Sequence, residues 1–539
     1  MKIIKAVFRV LTAKERRYLI GVFAVFIASS FGRITLAIQE NSEFVAAPGG
    51  VYAEGIVGQP IAVNPIISGN QVDQDISALI YSRLFNLMSG YEINNDGRVY
   101  IIKLKEDLKW SDGEPLTSDD VIFTLKIIQD PESGSPFSRN WQGAAVERIS
   151  ELQLQFALPA PYSFFIDNLK RLPIIPKHIF GDIPPANLKL SSYNLEPVGS
   201  GPYKFKGYSK KKDGFITKYN LKENEYYAGD KPFIKDFSFK FYENKDTLAK
   251  AFRMREINGF GVLNPLDAEE ILTKNSSKIT AEKVLMPRYY AIFFNQNINP
   301  LLKNRELRYA LNAAIPRESI VQNILKNYAE PITSPLPANL SGRSGEIYNL
   351  DEAKRHFESL KNPNIELNLI VPKVDFLERL AKAIREKWLE IGVKNVNLIV
   401  LNSDDILQNV IKPNNYEMIL FGNTLENPVD LFPFWHSSQR FYPGLNLALY
   451  QNQKVDTLIE AIRQTDESEK RLPLLKEAEQ FIVDDAPAAF LFEMPYIYAH
   501  VKNLGGFSNE DQKFFAAPSD RFLNVNKWYL SKVRVIKNK

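Results

Sequence analysis

Cysteine is absent from all 539 residues, and histidine occurs only four times. The first absence removes disulfides, zinc-thiolate and Fe–S sites, cysteine nucleophiles and any lipid carried on an N-terminal cysteine. The second leaves little for metal binding, because His178, His356, His436 and His500 all lie more than six residues apart. There is no GxxxxGK[ST] phosphate loop, no HExxH zinc helix and no GxSxG nucleophile elbow. The expectation is therefore no catalytic residue, no metal and no cofactor. Long basic stripes are missing as well. Residues 1–40 hold +5 of a net charge of +4, which leaves the rest at −1. A near-neutral body does not fit nucleic acid as a partner. What remains is ordinary globular composition, with 45% hydrophobic and 24% charged residues and no repeat or low-complexity tract.

The N-terminus is the first positive feature. Residues 1–17 form a basic segment, and Tyr18–Phe31 is uncharged and mostly apolar; the stretch continues past Gly32-Arg33 to Ile38. A helix over 18–38 would just cross a bilayer core of about 30 Å. Arg33 lies near its far end and can snorkel to the interface. The positive-inside rule then puts residues 1–17 in the cytoplasm and the body on the extracytoplasmic side. A single-pass membrane anchor is the expectation. A cleaved signal peptide and a buried core helix are the alternatives, the former leaving a secreted or periplasmic protein. Residues 39–50 read as a linker, being small, polar and ended by Pro48-Gly49-Gly50.

Beyond it the pattern is α/β. Tyr52–Gly58 and Val99–Leu104 read as strands, and Ile76, Leu79, Ile80 and Leu84 share one helix face. Thr117 with Asp120 reads as a helix start. Ile365–Val371, then Phe376, Leu377, Leu380, Ile384 and Trp388 on one helix face ended by Gly392, then Val396–Leu401, predict a β-α-β unit with a parallel pair. Two late helices place Val455, Leu458, Ile459 and Ile462, and Leu475, Ala478, Phe481 and Ile482, at helical spacing. Tyr416–Leu420 reads as a buried strand. The aromatics, 35 Phe, 24 Tyr and 5 Trp, read first as core and second as a cleft lining.

Trp110–Val121 (WSDGEPLTSDDV) is a strand end, a turn and a capped helix start. It also resembles the signature of the family 5 extracellular solute-binding proteins, the binding components of peptide- and nickel-type ABC importers. Pro197–Tyr203 (PVGSGPY) and Asn224–Pro232 (NEYYAGDKP) are similar to later segments of that family. So are Phe294-Asn295, Leu307–Glu318 (LRYALNAAIPRE), Trp388–Val393 (WLEIGV), and Asn446 with Val455-Asp456. The ordered matches run from about residue 54 to 530. Most of these residues shape turns: Asp112, Gly113 and Pro115 in one, Gly199, Gly201 and Pro202 in another.

The resemblance implies a two-lobed, periplasmic-binding-protein-like α/β fold of type II with an extra subdomain. The implied first lobe is 51–265, with the extra subdomain at about 89–195, and the second lobe is 266–499. Residues 500–539 return to the first lobe and end in a tail. It implies a binding protein, not an enzyme: a monomer that closes over a peptide-like small-molecule ligand and delivers it to an ABC permease and ATPase complex. A membrane-anchored peptide sensor on the same fold, or a surface hydrolase, would be the alternatives. The implied ligand-binding segment is Phe421-Gly422-Asn423-Thr424, with Glu426. Peptide-binding members carry an aromatic, usually Trp, at the position of Phe421 and an Asp at that of Thr424, where it anchors the ligand's α-ammonium. Threonine there departs from the pattern, with Glu426 or Asp430 as substitutes for the missing charge.

Overall fold

The computed structural model describes residues 12–537 except 68, 95, 263, 265–278, 342–347, 362–363 and 508–514. Most of the basic segment expected over 1–17 lies outside the described residues, as does the expected start of the second lobe at 266. A helix runs from Ala13 to Glu40, unbroken through Gly32-Arg33, and starts in a reciprocal capping box between Thr12 and Glu15. Its apolar window, Ala13–Ala37, is long enough to cross a bilayer, and none of it is buried against the body. That exposure removes the core-helix reading.

The stretch read as a linker is partly structured. Ser42–Ala47 is a strand, antiparallel to Ser531–Ile536 at the other end of the chain. Its short SEFVAA alternation has no local partner, so only the tertiary pairing makes it a strand.

The body is mixed α/β in two lobes. The first-lobe sheet has seven strands, in the order 279–284, 496–501, 259–262, 51–57, 236–242, 216–223, 203–210. A four-stranded antiparallel sheet, 88–94, 99–104, 153–157 and 145–150, builds the extra subdomain with the helix Ser118–Gln129. Thr117 caps that helix together with Asp120, as their spacing predicts. The second-lobe sheet has six strands, in the order 330–331, 488–493, 288–294, 418–424, 366–372, 395–401. Strands 366–372 and 395–401 are the expected parallel pair, and the helix Asp375–Glu390 joins them.

The chain passes between the two large sheets at two places. Strand 279–284 turns through Leu285-Met286-Pro287 into 288–294, and 488–493 passes through Met494-Pro495 into 496–501. Both strand pairs are antiparallel neighbours, so the crossings lie side by side with a proline in each. Two adjacent short crossings are hinge geometry. The boundaries expected at 265/266 and 499/500 lie outside these crossings, because 279–284 and 496–501 both belong to the first-lobe sheet.

One apolar core runs continuously through the first lobe and the extra subdomain, and a smaller one around Phe252 and Phe260 covers the other side of the first-lobe sheet. The second lobe has a core on each face of its sheet. All five tryptophans are at most 1% exposed, so they are packing residues first, although Trp141 also borders a cavity. The C-terminal segment is fastened to the first lobe by Arg521, which is buried. Its guanidinium donates to Glu54 at 2.9 Å and to Asp75 at 2.6 Å, and the Tyr498 hydroxyl donates to Glu54 at 2.8 Å. Removing one partner of such a dry ion cluster costs about 3–5 kcal/mol, because the others stay buried and uncompensated.

Candidate functional site

The motifs that carry the resemblance assemble a structural junction. In the WSDGEP turn, Gly113 has φ +100° and its N–H donates to the Trp110 carbonyl. Ser111 N–H donates to the Gly199 carbonyl at 2.9 Å, and Gly199 N–H returns a bond to Ser111 Oγ. Asn224 Nδ2 donates to the Gly201 carbonyl at 2.9 Å, tying in the third motif. A Cβ on Gly199 would lie 2.1 Å from the Ile80 carbonyl oxygen, so the chain passes there only as glycine. In the second lobe Arg308 and Arg317, both buried, donate to backbone carbonyls that include Ala486 and Phe490.

The segment implied as ligand-binding divides in two. The strand read as ending at Leu420 continues to Thr424, paired along Arg288–Phe294. Gly422 and Asn423 are poor strand formers, but each has a cross-strand reason to be there. A Cβ on Gly422 would lie 2.9 Å from the Tyr290 ring, and Asn423 Nδ2 donates to the Tyr289 hydroxyl. Phe421 packs against the second-lobe core. Thr424 and Glu426 both line a cavity, whereas Phe421, Gly422 and Asn423 do not reach it. Opposite Thr424 stands Arg288, whose Nε and Nη2 are buried without a hydrogen-bond partner. Leu425 N–H donates to the Pro287 carbonyl at 2.7 Å, so the segment rests on the first hinge crossing.

The cavity holds about 880 Å³, within the usual range for small-molecule sites. Residues 424–445 and Arg463 bound it on the second-lobe side, and residues 130–142 and 162–171 on the extra-subdomain side. An adjoining cavity of about 420 Å³ shares Arg139, Asn140, Tyr162, Asn168 and Arg463. A third, of about 240 Å³, reaches the first lobe at Tyr81, Arg83 and Asp520. It meets the largest at Asn140, Asn168, Arg171 and Glu426.

Charges in the cleft are mostly paired. Asp430 is held by Arg463 through two bonds of 2.9 and 2.7 Å. Glu426 accepts from Asn140 Nδ2 at 2.5 Å and lies 3.7 Å from the Arg171 guanidinium. Arg139 makes no hydrogen bond or ion pair among the described residues; burial lowers its pKa, while Tyr442 and Glu426 oppose that. Burial, and then the Asp430 charge, pushes the Tyr162 phenol well above its ordinary range, so it stays a neutral donor. Such a lining suits a polar ligand carrying both signs of charge. The subdomain also touches the second lobe directly. Ser163 N–H donates to the Arg463 carbonyl at 2.8 Å, and Phe164 is buried in the second-lobe core.

Sequence reasoning missed Arg139, Asn140, Asn168 and Arg171. They lie on two short helices, Ser138–Trp141 and Phe165–Arg171, too brief to show a periodic face. The aromatic run Tyr162–Phe165 beside them was the only signal.

The family model of bacterial extracellular solute-binding proteins, family 5 (middle), matches residues 86–441. The oligopeptide-binding protein AppA of Bacillus subtilis (strain 168) is 26% identical over 555 residues, covering 95% of this chain and 97% of that protein. Among solved structures, the ABC transporter substrate-binding protein CtaP of Listeria monocytogenes superposes with a TM-score of 0.77 at 27% identity, over 90% of this chain and 99% of that one. The AppA structure from Bacillus subtilis, in complex with a nonapeptide, gives 0.72 at 24% identity, over 90% and 100% of the two chains. With the family model covering most of its length and full-length relatives that are binding proteins, the chain belongs to the bacterial extracellular solute-binding proteins of family 5.

Proposed function

We propose that this chain is the extracytoplasmic binding component of an ABC importer. It takes a peptide-like solute into the cleft between its lobes and delivers it to a permease. The observation that carries this reading is the cavity of about 880 Å³ lying between the second lobe and the extra subdomain, next to two side-by-side chain crossings. A hinge of this kind lets the lobes part and close, and closure removes the ligand from water. Thr424 and Glu426 face the ligand from the second lobe, and Arg139, Asn140 and Arg171 face it from the subdomain. Phe421 acts from behind, by packing the strand that presents Thr424. The apolar helix 13–40 holds a monomeric body at the membrane, where a lipidated cysteine is not available.

The test is mass spectrometry of the ligand released from the soluble fragment 42–539, followed by calorimetry with the compound found. The fragment keeps strand 42–47, which pairs with the C-terminus. Recovery of peptides that rebind supports the reading. Recovery of a metal chelate or an opine-like acid, with no peptide binding, would replace the cargo assignment.

A further inference from the structure

The two-stranded ribbon is a sheet of its own and belongs to neither the lobes nor the cleft. A single residue, Asn41, separates its first strand from the helix Ala13–Glu40. The register pairs Ser42 with Ile536, Phe44 with Arg534 and Ala46 with Lys532. Lys537 N–H donates to the Asn41 carbonyl at 2.8 Å, and Lys537 Nζ to the Glu40 carbonyl at 3.2 Å. The C-terminus is thus fastened to the end of the apolar helix.

Directly paired residues share a face of an antiparallel ribbon. One face therefore carries Phe44, Ile536, Lys532 and Arg534 together. Phe44 is 64% exposed and Ile536 is 79% exposed, and the Arg534 guanidinium lies 5.0 Å from the Phe44 ring centroid. Val533, on the other face, is 48% exposed. No third strand joins the ribbon among the described residues, and an isolated hairpin-like pair is marginal in water. Large apolar side chains interleaved with cations, one residue from a helix of bilayer-crossing length, have the chemistry of a membrane-interface element. Glu43 is the sole acidic residue of the paired strands, and its pairing with Val535 puts it on the other face from Lys532 and Arg534.

We infer that the ribbon formed by 42–47 and 531–536 docks on an anionic phospholipid surface. Phe44 and Ile536 enter the headgroup boundary, and Lys532 and Arg534 on the same face bind lipid phosphates. This rests on the anchor reading of helix 13–40. It would fix the tilt and height of the first lobe, since only Pro48-Gly49-Gly50 and Tyr529-Leu530 link the ribbon to it.

The test uses the full chain in nanodiscs. Because the chain has no cysteine, Ile536→Cys carries a unique nitroxide, itself apolar. Its accessibility to oxygen and to a water-soluble nickel chelate is read by power-saturation EPR. In phosphatidylglycerol-containing discs the label should be shielded from chelate and rich in oxygen. In pure phosphatidylcholine discs it should be open to chelate. Lys532→Gln and Arg534→Gln, singly, should each weaken the docked population by about fivefold at low salt. Unchanged melting of the body would verify that these variants are folded. Chelate access that is equal in both lipids, with the chain retained in the disc, overturns the inference while leaving the anchor intact. Shielding that appears only when a permease is added overturns it in favour of a protein partner. A chain that leaves the disc, or is trimmed near residue 40, overturns the anchor and the docking together.

Discussion

A threonine offers a ligand's ammonium group an oxygen but no charge, and the two carboxylates that follow Thr424 in the cavity lining are already engaged. Asp430 is committed to Arg463, and Glu426 to Asn140 and Arg171. A charged anchor would be worth about 1.5–3 kcal/mol, on the order of 10- to 100-fold in affinity. N-acetylating a bound peptide is therefore expected to cost less than about tenfold, and calorimetry with matched free and blocked peptides checks it. Glu426→Gln is expected to be similarly mild; a larger loss from both changes would make Glu426 the ammonium anchor. Glu493 makes a separate case, one of stability. It sits beside the second hinge crossing, accepts the Ala338 N–H at 3.3 Å and pairs across the sheet with Glu330. Burial, and then the Glu330 charge, raises its pKa above the ordinary 4.5. The native state therefore disfavours the ionised form. At neutral pH the unfolded state is ionised and folding bears that cost; as pH falls through the raised pKa towards 4.5 the cost fades, and it is gone below 4.5. Glu493→Gln should accordingly raise the melting temperature at pH 7, with the gain shrinking as pH falls towards 4.5. Equal shifts across that window would contradict the charge explanation.

The helix Asp375–Glu390 ends at Gly392, where φ is +114° and an added Cβ would lie 2.9 Å from the Phe357 ring. Gly392→Ala meets both penalties and should destabilise the second lobe by about 1–3 kcal/mol. Denaturant unfolding reads that loss, and ligand affinity should stay unchanged because the helix end is remote from the cleft lining. This helix was legible in the sequence because Phe376, Leu377, Leu380, Ile384 and Trp388 repeat at helical spacing and all are buried. The flanking strands and the Thr117 cap were legible for the same reason: each signal is complete within a few residues. Strand 418–424 was only half visible, since Gly422 and Asn423 fit it through Tyr290 and Tyr289, more than 100 residues away. Strand 42–47 needs a partner from the far end of the chain. The cleft was less legible still. Thr424 and Glu426 came from similarity, and nothing local tells that Asn140 faces Glu426 across 286 positions.

Closure itself is a property of the whole molecule. Asn140 and Glu426 touch between the extra subdomain and the second lobe, so Asn140→Cys with Glu426→Cys places a single thiol pair across the cleft. Reduced, this variant should show a smaller radius of gyration in solution scattering when saturated with ligand. Oxidised in the presence of ligand, it should hold the compact form and release ligand far more slowly. A tight ligand that leaves the scattering unchanged would contradict lobe closure. The order of the strands along the chain also bears on how the protein is made. Every second-lobe strand falls within the single stretch 288–494, so that lobe is complete as soon as this stretch has left the ribosome. The first lobe is begun earlier but still lacks strand 496–501 and Arg521. Until Arg521 emerges, Glu54 and Asp75 have no cation to share, and the Ser42–Ala47 strand waits longer, for residues 531–536. Domains usually mature in the order of their synthesis; here the lobe started first is finished last.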